Sequence, residues 1–127
     1  MPYNILIFIA RKSGISHSEF KEHYETSHMP LLRSYGGEHF PKSHRRHYLH
    51  VDESDQPTIL LGNKGDTFEY DAVAEVGFDD KAAFHAFIAV LKVEEASKEI
   101  RADEDKFVDR EKMKTVLIGD VVQETRT

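Results

Sequence analysis

Apolar residues fill the first hydrophobic segment of the chain, residues 3–10. The segment is short and rich in isoleucine and aromatic residues, which predicts a β-strand. Successive side chains of a strand point to opposite faces, and here both faces are apolar. One face carries Ile5, Ile7 and Ile9, and the other carries Leu6, Phe8 and Ala10. A strand of this kind needs cover on both sides of its sheet.

A capping pattern after this strand predicts a helix. Ser16 and Glu19 stand at the spacing of a capping box, in which each side chain accepts a hydrogen bond from the backbone of the other. Pro30 disfavours helical geometry at the residue before it. We therefore expect the helix to end at Met29.

Three side chains recur every four residues on this helix and so share one face: Phe20, Tyr24 and His28. His28 is then expected on the last turn, at the end of an aromatic, inward-facing stripe. There it either packs in the core with one hydrogen bond or reaches into a cavity. Spacing alone favours the core position, because most amphipathic stripes are core.

The remaining apolar segments predict three more strands and a second helix. The strands are expected at residues 44–51, 70–78 and 115–122. Alternation along the second strand places one set of polar side chains on a common face, namely His44, Arg46, Tyr48 and His50. Asp80 is a candidate cap for the second helix, whose apolar stripe consists of Phe84, Phe87, Ile88 and Leu91.

Two segments lack a simple periodicity. Residues 52–69 form a long irregular stretch with an apolar centre, which is typical of lids, binding loops or mobile insertions. Residues 94–114 are rich in charge and are expected to be helical in pieces, with a solvated outer face.

The order of these elements predicts an α+β fold of the ferredoxin-like βαββαβ type. Both helices would lie on one face of a four-stranded antiparallel sheet, in one domain over residues 1–127. The first and last strands are apolar on both faces, so the second face of the sheet also needs cover. A second copy of the chain, packed sheet against sheet, would give a homodimeric α+β barrel. A pocket is then expected beside each sheet.

Composition narrows the classes of function. The chain has 127 residues, 39% of them hydrophobic, which is enough for a domain with its own core. A net charge of −6 disfavours nucleic acids and anionic membranes as partners. Cysteine is absent, which excludes disulfides and thiolate sites. No apolar run approaches the roughly 20 residues that span a bilayer. These features predict a soluble, cytoplasmic protein.

The histidines do not have the spacing of a metal site. His44, His47 and His50 are three apart, which sends His47 to the opposite face of a strand. His23 and His28 are five apart and diverge around a helix. Without a converging ligand set or a dinucleotide-binding loop, we expect neither a metal nor another cofactor.

Acid–base chemistry in a partly apolar pocket remains. His28 can exchange a proton near neutral pH. Glu75 lies within an apolar strand, where burial would raise its pKa, although a cross-strand pair with an arginine explains it equally well. Tyr48 can donate a hydrogen bond to a phenolate or enolate, or it can be an interface residue. Arg46 can hold a substrate carboxylate.

The most distinctive motif of the chain is Arg11-Lys12-x-Gly14-x-Ser16 leading into Phe20-x-x-His23-Tyr24-x-x-x-His28-x-Pro30-Leu31. Three later stretches are Ser43-His44-Arg45-Arg46-His47-Tyr48, Tyr70-Asp71-Ala72-Val73-Ala74-Glu75 and Asp103-Glu104-x-x-Phe107-Val108-Asp109. Together these motifs resemble the EthD-like family of dimeric α+β barrels. The long insertion and the Phe40-Pro41-x-Ser43-His44 entry to the second strand resemble its members from filamentous fungi.

The resemblance implies a homodimer with one cavity per subunit and no obligatory cofactor. Related barrels include decarboxylases, cyclases and cofactor-free monooxygenases that act on aromatic or polyketide compounds. A non-catalytic dimeric module that binds a small hydrophobic ligand, or that supports a partner enzyme, is the alternative. The expected catalytic residues are His28, Tyr48 and Glu75, and the expected substrate-binding residues are Phe8, Tyr24, Arg46 and His50.

Overall fold

Four strands form one antiparallel sheet in the computed structural model, which describes residues 1–63 and 65–126. They are β1 (Tyr3–Ile9), β2 (Ser43–Tyr48), β3 (Ala72–Phe78) and β4 (Lys114–Leu117). The spatial order is β2-β3-β1-β4, and each neighbouring pair is antiparallel. This order confirms the predicted ferredoxin-like fold. Lys64, in the predicted irregular segment, and Thr127 lie outside the described residues.

Four α-helices form a layer on one face of the sheet. They are α1 (His17–His23), α2 (Met29–Gly36), α3 (Lys81–Leu91) and α4 (Glu94–Glu104). A π-helical turn, Tyr24–His28, joins α1 to α2, and a short 3-10 helix, Gly37–His39, follows α2. In the described part of the chain, no helix is both long enough and apolar enough to cross a membrane.

The predicted helix caps are present. At the start of α1 the Ser16 hydroxyl accepts from the Glu19 backbone N–H at 3.0 Å, and the Glu19 carboxylate accepts from the Ser16 N–H at 2.9 Å. The carboxylate of Asp80 caps α3 by accepting from the Ala83 N–H at 2.8 Å. Each cap satisfies backbone donors that the first turn of a helix leaves unpaired.

The predicted end of the first helix at Met29 is wrong. Helical backbone angles continue through His28 and Met29 into α2, with Pro30 in its first turn. The π-helical turn explains why: the Met29 N–H bonds to the Tyr24 carbonyl, five residues back, so the hydrogen-bond ladder is already shifted where the proline lacks an N–H. The first turn of a helix tolerates proline because its N–H groups need no partner within the helix.

The core lies between the helices and one face of the sheet. The helix-facing residues of β3 are buried as the sequence predicts: Ala72, Ala74, Val76 and Phe78. They pack with buried side chains of the helical layer, including Phe20, Tyr24 and Phe87. On the opposite face the apolar residues are partly buried, as Leu6 and Phe8 are, or exposed, as Val116 is, and this face stays open in a single chain.

The fourth strand is shorter than predicted. It ends at Leu117 instead of continuing to Val122, and the last ladder bond runs from the Ile118 N–H to the Asn4 carbonyl at 2.9 Å. Gly119 and Asp120 follow, and both residue types disfavour strands. Val122 is consequently exposed.

Arg11 holds the start of the irregular segment against the domain. Its guanidinium pairs with Asp55, and the Asp55 carboxylate also accepts the backbone N–H of His17 at 3.0 Å. The backbone N–H of Arg11 donates to the buried Asp71 at 2.8 Å. This part of the segment is therefore fixed to the N-terminus of α1.

Phe20 should be a main source of stability, because it is fully buried and its ring packs against Tyr24, Tyr48 and Phe107. Replacing it, Phe20→Ala, should lower the free energy of unfolding by about 3 to 5 kcal/mol in urea titrations. The matched control Leu61→Ala, at a residue that is 92% exposed, should change it by less than about 0.5 kcal/mol. Equal effects of the two changes would contradict this description of the core.

Candidate active site

A cavity of about 350 Å³ lies between the helix-facing side of the sheet and the helical layer. This volume is in the range of small-molecule sites. Most of its wall is apolar and aromatic, including Leu32, Phe78, Phe84, Phe87, Ile100 and Phe107. The described residues of the irregular segment 52–69 do not contribute to the wall.

Five polar side chains interrupt the apolar wall: Tyr24, His28, His44, Glu104 and Thr115. No lysine or arginine belongs to the described lining. The cavity therefore combines a large apolar surface with a few groups that donate, accept or exchange protons.

His28 combines the two positions that its spacing allows: its side chain is buried in the core and also lines the cavity. Its Nδ1 lies 3.0 Å from Oδ2 of Asp103 on α4. A carboxylate only accepts, so Nδ1 carries the proton and donates. In the neutral ring the second nitrogen, Nε2, is then unprotonated and is not engaged by Asp103.

Asp103 receives two more hydrogen bonds. The Ser27 hydroxyl donates to its Oδ1 at 2.8 Å, and Nε2 of His23 lies 2.9 Å from the same oxygen. Burial alone would raise the pKa of Asp103, but the hydrogen bonds from Ser27, His28 and His23 outweigh it and hold the pKa below its usual value. Asp103 is consequently a carboxylate when it holds His28.

Burial lowers the pKa of His28, and this effect exceeds the opposing attraction of Asp103. The imidazole is therefore neutral at neutral pH, with a free electron pair on Nε2. Asp103 would stabilise the imidazolium once that nitrogen takes a proton. The pair has the properties of a general base held in one orientation.

His44 is a second neutral imidazole in the wall. It lies on the helix-facing side of β2 and its ring stacks on Phe40. Burial, followed by the positive charge of Arg46, lowers its pKa to about 4. Its Nδ1 is 3.0 Å from Nη1 of Arg46.

Tyr24 and Glu104 bring two further titratable groups to the cavity. Burial raises the pKa of the Tyr24 hydroxyl and also that of the Glu104 carboxyl. Of the residues that the structure describes, none hydrogen-bonds to either side chain group. Both remain available to a ligand.

The predicted residues Arg46 and Tyr48 lie on the same face of β2 as His44, as the alternation indicates, but they do not line the cavity. Both bind Glu25 instead. Nε and Nη2 of Arg46 lie 2.5 and 3.1 Å from its carboxylate oxygens, and the Tyr48 hydroxyl donates to the same carboxylate. In this structure the charge of Arg46 is already paired with Glu25, and its role in holding a substrate carboxylate stays a prediction.

Three other predicted site residues lie away from the cavity. Glu75 is exposed on the open face of the sheet, where it pairs with Nε2 of His47 at 2.7 Å, so its expected burial is wrong. Phe8 lies on the same open face, since the helix-facing positions of β1 are the odd-numbered ones. His50 follows the end of β2 and bonds the Thr58 hydroxyl at 2.8 Å on the surface.

Local sequence patterns give no site role to Asp103, Glu104 or His44. The motif that contains Asp103 and Glu104 was visible, but it stands inside a run of charged residues that is typical of a solvated face. His44 shares a strand face with Arg46, yet only the fold brings it to the same wall as His28. In residues 1–63 and 65–126, no three histidine, aspartate or glutamate side chains form a group that can hold a metal ion.

Comparison with known proteins gives the same fold. The EthD domain family matches residues 12–111 of the chain. An EthD-family protein of Bacillus halodurans is 16% identical, with a TM-score of 0.56 over 95% of this chain and 100% of that one. An EthD-like protein of Ralstonia eutropha is also 16% identical, with a TM-score of 0.59 over 98% and 95% of the two chains.

A dimeric ferredoxin-like protein of Thermobifida fusca is similar as well, at 12% identity and a TM-score of 0.54 over 93% of this chain and 90% of that one. Among curated proteins, none matches the sequence. Sequence identities this low establish a shared fold but do not establish a shared reaction. The family match spans most of the chain, and the protein therefore belongs to the EthD domain family.

Proposed function

We propose that this protein is a cofactor-independent enzyme that moves a proton on an aromatic or polyketide-like small molecule, with His28 as the general base. The observation that carries the proposal is the buried His28–Asp103 pair, at 3.0 Å, in the wall of an apolar cavity. A module that only binds hydrophobic ligands needs the cavity but does not need an oriented, unprotonated histidine nitrogen in its wall. The pair therefore favours the enzyme over the binding module.

The proposed step begins with an acidic C–H or O–H group of the substrate beside Nε2 of His28. The proton moves to Nε2, its former bond electrons remain on the substrate as an enolate or phenolate, and the imidazolium is stabilised by Asp103. The same nitrogen then returns the proton to another substrate atom. Proton transfer of this kind serves cyclisation directly and also takes part in decarboxylation and cofactor-free oxygenation.

The wall of the cavity sets the class of substrate. Aromatic side chains such as Phe84, Phe87 and Phe107 offer faces and edges against which a flat ring can pack. The apolar surroundings also favour the neutral form of the base, since burial is what lowers the pKa of His28. A planar, mainly apolar molecule with few oxygen atoms is the ligand that fits best.

Proton exchange tests the proposal without knowledge of the natural reaction. Wild-type protein in deuterated buffer should accelerate exchange of the acidic C–H protons of anthrone or β-tetralone, followed by NMR. His28→Ala should lower the protein-catalysed rate by a factor of about 10² or more, as loss of a general base does. Asp103→Asn should lower it by a factor of about 10 or more, because the amide no longer favours the Nδ1–H tautomer.

His85→Ala is the matched control, because His85 is an exposed histidine on α3 outside the cavity. It should leave the exchange rate unchanged. Melting temperatures of all variants separate a lost base from a lost fold. The proposal fails if wild-type protein leaves both compounds at the buffer rate, or if a folded His28→Ala protein keeps the wild-type rate.

The pH dependence of this exchange should follow the neutral form of His28. The rate should be constant at neutral pH and fall as the pH drops through the pKa of His28, which burial holds below the usual value of 6.5. Burial shifts the pKa of Glu104 in the opposite direction, upwards, so this carboxyl is the other group of the wall that could titrate in acid. Glu104→Gln therefore serves as the control and should keep the acid limb. An acid limb centred above about 6.5 would contradict the assignment.

We also propose that the protein is a homodimer that covers the open face of the sheet. That face carries the apolar side chains Leu6, Phe8, Val73 and Val116, of which Val116 is 44% exposed. The Thermobifida fusca protein of the same fold is described as dimeric. Sheet-on-sheet packing would bury this surface.

Sedimentation at micromolar concentration should give twice the 14.6 kDa mass of the chain. The double substitution Leu6→Glu and Phe8→Glu should shift the protein to the monomer, because two carboxylates added to the covered face would lose their hydration on dimerisation. Leu61→Glu, at an exposed position of the irregular segment, should leave the dimer intact. Wild-type protein that sediments at the mass of one chain would overturn this proposal.

A further inference from the structure

The hydrogen bond between His44 and Arg46 fixes which nitrogen of His44 carries a proton. A guanidinium has donors only and stays charged, so Arg46 must donate to Nδ1 of His44 across the 3.0 Å contact. In the neutral ring the proton is then on Nε2. Since Nδ1 is occupied, Nε2–H is the ring group that His44 offers to the cavity it lines.

His28 has the opposite arrangement in the same wall. Its Nδ1 donates to Asp103, so its Nε2 is a bare acceptor. Two neutral histidines thus present opposite hydrogen-bonding characters to one cavity: an N–H donor from β2 and an unprotonated nitrogen from the π-helical turn. Neither character is accidental, because each is imposed by a charged partner of fixed polarity.

Arg46 is itself held in place. Glu25 binds its Nε and Nη2, the Tyr48 hydroxyl donates to the same carboxylate, and Nη1 also lies 3.2 Å from the His44 carbonyl oxygen. These contacts leave Nη1 aimed at His44. They hold Arg46 beside the wall and not in the cavity.

We propose that Arg46 is a positioning residue that sets His44 as a hydrogen-bond donor to a substrate oxygen, opposite the proton-accepting nitrogen of His28. The inference rests on the proposed function only in taking this cavity as the ligand site. The donor would stabilise the negative charge that develops on a carbonyl oxygen when His28 removes a nearby proton. No proton need leave His44 in this step.

The arrangement deepens the assignment of substrate class. The ligand must carry an oxygen that accepts a hydrogen bond and an acidic hydrogen at a second position, as an aromatic ketone or a phenolic ketone does. The described wall has no cationic side chain, and a carboxylate ligand would lose its hydration without gaining a charged partner. Neutral ketones should therefore be preferred over the corresponding acids.

Long-range ¹H–¹⁵N correlation spectra of the histidine rings test the first part on unaltered protein near neutral pH. His28 should be protonated on Nδ1 and His44 on Nε2. In Arg46→Met the preference of His44 should disappear, whereas His28 should keep its tautomer. Arg45→Met is the matched control, because Arg45 lies on the open face of the same strand, and it should change neither ring.

Paired ligands test the second part. β-Acetonaphthone has a carbonyl oxygen that only accepts, and β-isopropylnaphthalene has nearly the same shape without it. In calorimetric titrations His44→Phe should weaken binding of the ketone about tenfold and leave binding of the hydrocarbon unchanged. His28→Ala should leave the preference for the ketone intact, since His28 offers no donor.

The outcomes separate this inference from the proposed function. Wild-type His44 protonated on Nδ1, an Arg46→Met protein with an unchanged His44 tautomer, or equal losses for both ligands in His44→Phe would each overturn it. Absence of proton exchange with intact ketone discrimination would instead remove the proposed catalysis and keep the His44 donor. The tautomer measurement uses wild-type protein, so it decides even where a variant fails to fold.

Discussion

One buried carboxylate joins the two parts of the helical layer. Asp103 on α4 accepts hydrogen bonds from His23, Ser27 and His28, all of which belong to the first helical segment. Removing one of these hydrogen-bond partners costs about 1 to 3 kcal/mol, because a buried carboxylate loses part of its compensation. The position of α4, the path of the π-helical turn and the orientation of His28 therefore depend on the same side chain. The hydrogen bonds of Asp103 thus hold the helical layer together and also orient the proposed base.

Around this carboxylate, the aromatic residues decide where the domain is packed and where it is open. Phe20 and Phe107 are almost fully buried and pack against each other, and Phe107 also reaches the wall of the cavity. Farther along the sheet, the side chains of Phe84 and Phe87 leave space and form the wall of the cavity. The polar groups of the cavity thus stand at the boundary between a tight core and a void, where burial shifts their pKa values and a ligand can still reach them.

Local patterns predicted most of the fold, because strands and helices repeat over a few residues. The two-sided strand β1, the buried face of β3 and the caps at Ser16 and Asp80 all depend on neighbours within the segment. The predicted end of the first helix was wrong for the same reason: Pro30 has a strong local preference, and the shifted hydrogen-bond ladder of the π-helical turn overrides it. A pattern of single residues contains no information on that shift.

The candidate site depends on contacts that local patterns do not contain. His28 was identified from its stripe, but the Asp103 that fixes its tautomer is 75 positions away in the sequence. Arg46 and Glu75 were assigned by chemistry alone, and each has a partner in the fold, Glu25 for the arginine and His47 for the glutamate. A charged side chain near a pocket is available to a ligand only when it is not already paired with an oppositely charged or hydrogen-bonding side chain.

The proposed chemistry requires that Asp103 turns His28 so that Nε2 is a base facing a ligand in the cavity. A crystal structure with anthrone or β-tetralone bound is the decisive test of this orientation. The ligand should lie in the cavity with its acidic carbon about 3 to 3.5 Å from Nε2 of His28, while Nδ1 stays on Asp103. A ligand bound elsewhere, or an His28 ring turned so that Nε2 contacts Asp103, would contradict it.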